Sequence, residues 1–189
     1  MKMKALITID YTNDFVAEDG ALTCGVPGQQ IEERLTAITS SFIEAGDYVV
    51  FAIDKHDEKD SFHPETKLYP PHNIAGTEGR DLYGKLAGVY EAAKQESNVY
   101  YMDKTRYSAF AGTDLLQRLN VRGIKEIHVV GVATDICVFH TLVDAYNYGF
   151  QMVVHADAVA SFHQEGHAYA LHHFKNVLGA EVTEGGTKQ

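Results

Sequence analysis

The sequence has no tryptophan and only two cysteines, Cys24 and Cys137, among 189 residues. Two cysteines far apart in a chain without an export signal make a disulfide framework improbable, so we expect both to be free thiols. No stretch approaches the roughly 18 apolar residues that a transmembrane helix needs. The first apolar run is interrupted within about six residues, which is too short for the core of a signal peptide. These absences predict a soluble, cytoplasmic protein.

Basic residues are also scarce, with 16 Lys and Arg against 26 Asp and Glu, a formal net charge of −10. Because the acidic residues are scattered along the chain, the charge argues against a nucleic acid as partner. The 45% hydrophobic content is enough for a sizeable core. We find no internal repeat, low-complexity tract or interdomain linker. The sequence therefore predicts a single domain over residues 1–182, followed by a polar, glycine-rich tail at 183–189 that we expect to be frayed.

Apolar runs of strand length recur along the chain, at residues 5–9, 48–53, 99–102, 127–132 and 152–154. They are mostly continuous rather than alternating, which is typical of strands buried on both faces of a parallel sheet. Between them lie helical patterns, and two of these end at a glycine, Gly46 and Gly149. The alternation of strands and helices predicts an α/β fold, doubly wound, with a mostly parallel sheet and helices on both faces.

Reactive side chains follow the ends of several predicted strands. In open α/β sheets ligands bind outside the carboxyl ends of the strands, so polar residues there deserve inspection. The side chains in question are those of Asp10, Asp54, Lys104 and Cys137. Four strand ends would thus bring two carboxylates, an amine and a thiol to one edge.

Cys137 is the strongest candidate nucleophile at this edge. If Thr134 or Asp135 caps the following helix, Cys137 lies in its first turn, where the helix dipole and free N–H groups favour a thiolate. A nearby Lys104 would lower the thiol pKa further. The alternative is that Cys137 is a small buried core residue, as free cysteines often are.

A second cluster follows the second predicted strand, in the long irregular segment 55–88. Long loops of this kind inside compact domains are usually functional. Two imidazoles and two carboxylates, from Asp54, His56, Glu65 and His72, suit zinc, manganese or iron without distinguishing among them, and His63 is a substitute ligand. The spacing matches no compact zinc signature, so a solvated polar loop is the alternative.

Two further patterns are rejected. Residues 79–85 fit the start of a phosphate-binding P-loop, but Leu86 stands where Ser or Thr should bind magnesium, and no strand precedes the run. Asp10, Asp54 and Lys104 also resemble the acidic and lysine residues of a phospho-receiver domain. There the lysine follows a later strand, whereas Lys104 follows the third, and that reading leaves Cys137 unexplained.

Taken together, the motifs resemble those of the isochorismatase-like cysteine hydrolases, and among these the nicotinamidases, over about residues 4–180. The matching residues are Asp10-Tyr11-Thr12-Asn13-Asp14-Phe15, Lys104, Gly131-Val132-Ala133-Thr134-Asp135-Ile136-Cys137-Val138, and Asp54 and His56 with Glu65 and His72. These motifs are specific in combination and weak individually.

The resemblance implies a mechanism and a set of roles. Cys137 would be the nucleophile, Asp10 the general base, and Lys104 the cation that holds the thiolate, while backbone N–H groups of Ala133 and Cys137 would form the oxyanion hole. A cis peptide bond would precede Ala133. A divalent metal on Asp54, His56, Glu65 and His72, with zinc the first candidate, would bind the pyridine nitrogen of nicotinamide.

The resemblance also bears on the pocket and on assembly. Phe15, Tyr69 and Tyr107 match aromatic residues that wall the substrate pocket, although such residues are more often simply core. Thr12 stands where glutamine is common, and Asn73 where cysteine is common. These departures leave other small amides, such as pyrazinamide or a carbamoyl compound, as alternative substrates. A homodimer or homotetramer without a membrane partner is implied.

Overall fold

The computed structural model describes residues 3–183, whose strands form one sheet in the order β3-β2-β1-β4-β5-β6. The strands are β1 (Ala5–Ile9), β2 (Tyr48–Asp54), β3 (Val99–Lys104), β4 (Glu126–Val132), β5 (Gln151–Ala160) and β6 (Glu181–Thr183). The helices are α1 (Asn13–Val16), α2 (Val26–Gln30), α3 (Glu32–Glu44), α4 (Gly84–Ala93), α5 (Leu115–Val121), α6 (Phe139–Asn147) and α7 (Gln164–Asn176). Every strand pairing is parallel, so the predicted α/β fold is confirmed.

The core lies on both faces of the sheet. On one face Leu6 of β1 packs in a cluster with Leu35 of α3 and Leu86 of α4. On the other face the neighbouring Ile7 packs in a cluster with residues of α5, α6 and α7 that include Leu142 and Phe174. Because successive strand residues point to opposite faces, an apolar run such as β1 is buried throughout. The sheet is therefore doubly wound, as predicted.

Helix α3 shows how the local sequence produces these elements. Its buried residues Leu35, Ile38 and Thr39 recur at helical spacing, so one face of the helix meets the sheet. Glu32 and Glu33 occupy the first turn, where negative charge is favourable to the helix dipole. Gly46, with a φ of 74°, follows the helix and tolerates the left-handed backbone that ends it.

The observed strands differ from the sequence prediction by at most two residues at either end in β1 to β4, and by more in β5 and β6. β5 extends to Ala160 because the polar His155 and Asp157, which interrupt its apolar pattern, find partners in His128 and Arg34. β6 is a short edge strand that the apolar pattern does not reveal. It includes Thr183, where the frayed tail was expected to begin, and residues 184–189 lie outside the described residues.

The strand order brings four strand ends to the candidate site. β1 pairs with β2 on one side and with β4 on the other. The order of strands across the sheet therefore runs one way from β1 to β3 and the opposite way from β4 to β6, and the change of order falls between β1 and β4. This switch point is where doubly wound sheets bind their ligands. Gly131 of β4, with a φ of 118°, lies so close to β1 that a Cβ would overlap the carbonyl oxygen of Ile9. Within residues 3–183, no helix has both the length and the apolar character of a membrane span.

Candidate active site

Asp10, Lys104 and Cys137 meet at the carboxyl end of the sheet. Asp10 follows β1, Lys104 ends β3, and Cys137 lies in a helical turn, Thr134–Val138, after β4. The Lys104 ammonium nitrogen Nζ lies 2.7 Å from Asp10 Oδ2 and 3.6 Å from Cys137 Sγ. All three residues are buried, with at most 6% exposure. The structure thus gathers a carboxylate, an amine and a thiol in one water-poor site.

Asp10 is fixed by its backbone and by β2. Its φ of 52° is in the left-handed region, which Asp tolerates better than most residues, and its Oδ1 accepts a 2.7 Å hydrogen bond from the Asp54 N–H. Burial raises the pKa of Asp10 to about 6, against the opposing attraction of Lys104. A carboxyl with a pKa near neutrality is suited to taking up and releasing a proton during turnover.

Lys104 is the cation of the site and is fully enclosed. Burial by itself would lower its pKa, but the negative charges of Asp10 and Asp54 outweigh burial and raise the pKa well above the ordinary value. Its Nζ lies 3.4 Å from Asp54 Oδ1 and donates a 3.2 Å hydrogen bond to the Arg106 carbonyl oxygen. Lys104 therefore carries its charge and joins Asp10 to Asp54.

The structure corrects the expectation that the thiol of Cys137 is acidic. Burial raises the pKa of Cys137 well above its usual value, and the carboxylates of Asp10 and Asp54 add to this effect against the opposing Lys104. The helix start and the lysine do not overcome a dry site that holds two carboxylates. The surroundings of Cys137 thus favour the protonated thiol, and a base beside it, such as Asp10, would serve to accept its proton.

The predicted cap of the helix is also wrong. Neither Thr134 nor Asp135 caps it, since Ala133 occupies the N-cap position. The Thr134 hydroxyl lies 2.8 Å from His167 Nδ1, and Asp135 Oδ1 accepts a 2.5 Å hydrogen bond from Ser161. Long-range partners thus compete successfully with local capping and tie the Cys137 turn to α7 and to the end of β5.

The backbone around the turn has the form that the family resemblance implies. The peptide bond between Val132 and Ala133 is cis. The N–H groups of Ile136 and Val138, on either side of Cys137, both donate to the Ala133 carbonyl oxygen, at 3.1 and 3.2 Å. The N–H groups of Ala133 and Cys137 stay our candidates for the oxyanion hole.

Asp54, His56, Glu65 and His72 form a compact buried cluster beside this triad. One ligand atom from each of the four lies within 4.8 Å of all the others. Asp54 Oδ2 is 2.5 Å from His56 Nε2, and His72 Nε2 is 3.5 Å from Glu65 Oε2. A cavity of about 50 Å³ borders the cluster and is lined in part by His56, Glu65 and His72. The long loop therefore brings these side chains together.

The donor set fits a divalent cation. His72 Nδ1 donates a 2.8 Å hydrogen bond to the Pro70 carbonyl oxygen, so the neutral ring would present the lone pair of Nε2 to the cluster. Within residues 3–183, this buried Nε2 has no hydrogen-bond partner. Asp10 and Asp54 share the ammonium of Lys104, and Glu65 adds a third carboxyl group to the adjoining cluster, so a cation there would balance the excess of acidic groups.

His63, the proposed substitute ligand, lies outside the cluster. Its Nε2 is 2.8 Å from the Thr105 carbonyl oxygen, and its Nδ1 accepts a 3.3 Å hydrogen bond from the Glu65 N–H. Both ring nitrogens are thus engaged elsewhere. His63 packs against His56 with ring centroids 4.4 Å apart. It is placed to orient Glu65 and His56 rather than to bind an ion.

Two of the predicted pocket aromatics line the cluster directly. Phe15 is buried with its ring centroid 5.3 Å from that of His72, and Tyr69 lies 6.1 Å from His72 on the same measure. Tyr107 packs 5.1 Å from His140, and burial together with Tyr69 raises the pKa of its hydroxyl. Flat rings at these positions suit an aromatic ligand.

Sequence reasoning missed three residues that hold the cluster in place. Asp14 Oδ2 accepts a 2.7 Å hydrogen bond from the N–H of Asn73, whose carbonyl oxygen accepts one of 3.1 Å from the N–H of His56. Arg80 Nε donates a 2.8 Å hydrogen bond to the Asp54 carbonyl oxygen. These contacts span 17 to 59 positions, so no local pattern could reveal them.

Comparison with known proteins gives close relatives. A Bacillus subtilis (strain 168) protein, the uncharacterized isochorismatase family protein PncA, is 66% identical over 181 residues, which are 96% of this chain and 99% of that protein. A crystal structure of nicotinamidase/pyrazinamidase PncA from Bacillus subtilis superposes with a TM-score of 0.95 at 64% identity, covering 96% of this chain and 100% of that one.

Two more distant relatives agree with these. The nicotinamidase/pyrazinamidase of Mycobacterium tuberculosis (strain ATCC 25618 / H37Rv) is 37% identical over 170 residues, 84% of this chain and 87% of that protein. The pyrazinamidase of Pyrococcus horikoshii in complex with zinc has a TM-score of 0.83 at 29% identity and covers 96% of this chain and 99% of that one. Residues 4–185 match the isochorismatase domain. The chain therefore belongs to the isochorismatase family.

Proposed function

We propose that this protein is a nicotinamidase, which hydrolyses nicotinamide to nicotinate and ammonia through a thioester on Cys137. The observation that carries the proposal is the sharing of Asp54 between two groups of side chains. Its Oδ1 lies 3.4 Å from the Lys104 ammonium, and its Oδ2 lies 2.5 Å from His56. The side chains proposed as the nucleophilic triad therefore adjoin the four side chains proposed as metal ligands. The nicotinamidase names of the relatives support the same substrate.

In the first half of the reaction, Cys137 Sγ attacks the carboxamide carbon as its proton passes to Asp10. An amide is a poor electrophile, so the attack needs an activated nucleophile and charge stabilisation at the oxygen. The N–H groups of Ala133 and Cys137 would supply that stabilisation. Asp10 then gives its proton to the amide nitrogen, the C–N bond breaks, and ammonia leaves the thioester. Lys104 keeps positive charge beside the sulfur throughout.

In the second half, water attacks the thioester carbonyl carbon while Asp10 accepts one of its protons. The C–S bond breaks, the proton returns from Asp10 to the sulfur, and nicotinic acid leaves and gives its remaining proton to solvent as it becomes nicotinate. Asp10 thus acts twice as a base and twice as an acid, and the pKa of about 6 suits both directions. No proton is gained or lost by the site over one turnover.

The metal is part of the proposal. Asp54, His56, Glu65 and His72 would hold a divalent ion, and such an ion would bind the pyridine nitrogen and so orient the ring. Zinc is favoured by the zinc-bound pyrazinamidase of Pyrococcus horikoshii, while manganese and iron fit the same donors. Phe15, Tyr69 and Tyr107 would wall the ring.

Other readings lead to different experimental results. A related amidase would act on pyrazinamide or a carbamoyl compound, and kcat/KM over a substrate panel separates it from a nicotinamidase. A hydrolase that uses metal-bound water would keep its activity after Cys137 is labelled with iodoacetamide. A receiver-like module would form an acyl phosphate on Asp54 and hydrolyse no amide.

The wider setting of the enzyme follows from the family resemblance. We infer a cytoplasmic homo-oligomer, a dimer or tetramer, that acts in the salvage of nicotinamide towards NAD. Its substrate is a small amide, and neither nucleic acid nor membrane is a partner.

The decisive experiment is ammonia release from nicotinamide by the purified protein, before and after chelation and after the return of a divalent metal. We expect activity to fall on chelation and to return with metal. Activity that ignores the chelator would leave the Cys137 triad in place and contradict the metal role, provided that metal analysis shows the ion has been removed. An absence of ammonia with every metal would overturn the nicotinamidase assignment.

A further inference from the structure

Arg80 makes several contacts at the end of β2, although it comes from a distant loop. It closes a short 3₁₀ turn, Glu78–Arg80, and its side chain is only 15% exposed. Its Nε donates a 2.8 Å hydrogen bond to the Asp54 carbonyl oxygen, and its Nη2 donates one of 2.5 Å to Asp103 Oδ1. The guanidinium carbon lies 5.6 Å from the ring centroid of Tyr101. The side chain is thus fixed on three sides.

The residue that Arg80 holds is the one shared by the two halves of the site. Asp54 is the last residue of β2 and pairs in register with Lys104, the last residue of β3. Beyond Asp54 the strand ends and the chain turns towards His56. The Lys55 N–H still donates a 2.9 Å hydrogen bond to the Lys104 carbonyl oxygen of β3, whereas the carbonyl oxygen of Asp54 is held by the Arg80 guanidinium.

We propose that Arg80 is a positioning residue, which sets the place and orientation of the Asp54 carboxylate as a metal ligand by clamping the carbonyl oxygen of the same residue. The proposal rests on the metal site of the proposed function. Partners of metal ligands of this kind commonly change metal affinity by about 10-fold to 100-fold when they are removed. Arg80 would act through Asp54 and make no contact with the metal itself.

The turn that carries Arg80 is anchored firmly enough to act as a clamp. Asn13 Nδ2 donates a 2.8 Å hydrogen bond to the Glu78 carbonyl oxygen. Gly79 packs directly against the Asp14 carboxylate, where a Cβ would overlap it. Asn13 and Asp14, both in α1, thus hold the turn in place. The glycine that gives this segment its P-loop-like pattern is explained by close packing and not by phosphate binding.

Arg80 can be replaced without leaving its acidic partner unpaired. Asp103 also accepts a 2.8 Å hydrogen bond from Lys55, so it keeps a cationic partner when Arg80 is replaced by glutamine. Arg118 provides the matched control, since its guanidinium carbon lies 3.6 Å from the Tyr100 ring centroid and its Nε lies 2.7 Å from Asp114 Oδ2. It has an acidic and an aromatic partner, as Arg80 does, but contacts neither strand end of the site.

The test is the zinc affinity of the full chain, measured by competition with a chromophoric chelator, for wild type, Arg80→Gln and Arg118→Gln. We expect zinc affinity to fall about 10-fold or more in Arg80→Gln and to stay at the wild-type value in Arg118→Gln. Arg80→Lys keeps the charge but has no planar fork, so its affinity should lie between those of wild type and Arg80→Gln. KM for nicotinamide should rise more than kcat falls.

Each outcome decides one of the two proposals. Wild-type zinc affinity in a folded Arg80→Gln protein overturns the positioning role and leaves the proposed function standing. Equal losses in the Arg80 and Arg118 variants also overturn it, since the effect would then be general. If Arg80→Gln does not fold, wild-type zinc affinity in Arg80→Lys serves as the contradicting result. A wild-type protein that binds no zinc, manganese or iron overturns the metal site itself.

Discussion

The hydroxyl of Thr12 donates a 2.9 Å hydrogen bond to the side-chain oxygen Oδ1 of Asn73, and both residues are fully buried. Thr12 lies two residues after Asp10, and Asn73 directly follows His72. The contact therefore joins the segment after β1 to the loop that carries His72, a proposed metal ligand. The two residues that depart from the family pattern are one interacting pair.

Replacing Thr12 by valine should destabilise the protein by about 1–3 kcal/mol. Valine has nearly the same shape, but it leaves the buried Asn73 oxygen without a donor, which costs the desolvation free energy of that group. The measurement is the free energy of unfolding from urea titration. Thr77→Val is the matched control, since the Thr77 hydroxyl also bonds within this loop, to Ile74, but is exposed. We expect Thr77→Val to change the stability by less than about 0.5 kcal/mol.

A double-mutant cycle tests the pairing itself. Asn73 has a φ of 45°, so glycine is the replacement that keeps its backbone while removing the carboxamide. The combined Thr12→Val and Asn73→Gly variant should cost less than the sum of the single variants by about 0.5–3 kcal/mol. Strict additivity would show that the two side chains are energetically independent.

Cys137→Ala should lower kcat for ammonia release by at least about a thousandfold, because no other side chain can form the thioester. Cys24→Ala is the control. Cys24 is also a buried free cysteine, and burial raises its pKa to about 12, but it belongs to the core beneath α2 and not to the site. Turnover that survives in Cys137→Ala would exclude the thioester route and favour catalysis by metal-bound water.

Lys104→Met should both abolish turnover and destabilise the metal-free protein by about 3–5 kcal/mol. The reason is that the ammonium 2.7 Å from Asp10 and 3.4 Å from Asp54 would be lost, so that each buried carboxyl group would either stay charged without a partner or take up a proton. Adding Asp10→Asn to this variant removes one of the two carboxyl groups and should restore part of the stability. Urea unfolding in the presence of a chelator measures both effects, and a Lys104→Met protein as stable as wild type would contradict the ion-pair account.

The sequence predicts which strands frame this site, because short apolar runs in the sequence are enough to locate the strands. Apolar runs locate the strand that precedes Asp10 and the two strands that end at Asp54 and Lys104, and the parallel topology places their ends at one edge. The same reasoning predicts an acidic Cys137, which is wrong, because burial depends on the whole fold and outweighs the effect of a helix start.

Interactions between distant segments escape this reasoning. Arg80 belongs to a run that resembles a P-loop, and nothing in its neighbourhood indicates that it reaches Asp54, 26 positions earlier. The second half of β5 is not predicted because polar residues interrupt its apolar pattern. The partners that allow these residues to lie in a strand, such as His128, are 27 positions away in the sequence. Pairings of this kind are fixed by strand order, which composition and periodicity do not contain.

Substitutions at three histidines separate metal ligands from their neighbours. His72→Gln should lower zinc affinity by more than about 100-fold, since it removes a ligand atom, whereas His63→Gln should lower it by about tenfold, since His63 only orients Glu65. The exposed His172 is the control, and His172→Gln should bind zinc like wild type. Chelator competition gives the three affinities, and equal losses for His63 and His72 would place His63 among the ligands.

A pair of histidines in neighbouring strands should make stability depend on pH. His128 Nδ1 lies 3.0 Å from His155 Nε2, and His128 Nε2 lies 3.0 Å from Glu126 Oε1. Since the carboxylate can only accept, His128 donates from Nε2 and accepts at Nδ1, and His155 donates to it. Burial, together with the neighbouring His128, lowers the pKa of His155 to about 4. Both imidazoles are therefore neutral in the folded protein at neutral pH.

The contribution of His155 to the free energy of unfolding should fall by about 1 kcal/mol as the pH drops from about 7.5 to about 5.5. The folded-state pKa of His155 is below the unfolded value of about 6.5, so in this range the unfolded chain takes up a proton that the folded protein does not bind. His155→Gln keeps a donor to His128 but does not titrate, and should flatten the pH dependence by that amount. His172→Gln should leave the slope unchanged, because this side chain is exposed. Urea unfolding at several pH values measures the slopes, and a wild-type slope in His155→Gln would show that the pair does not govern acid stability.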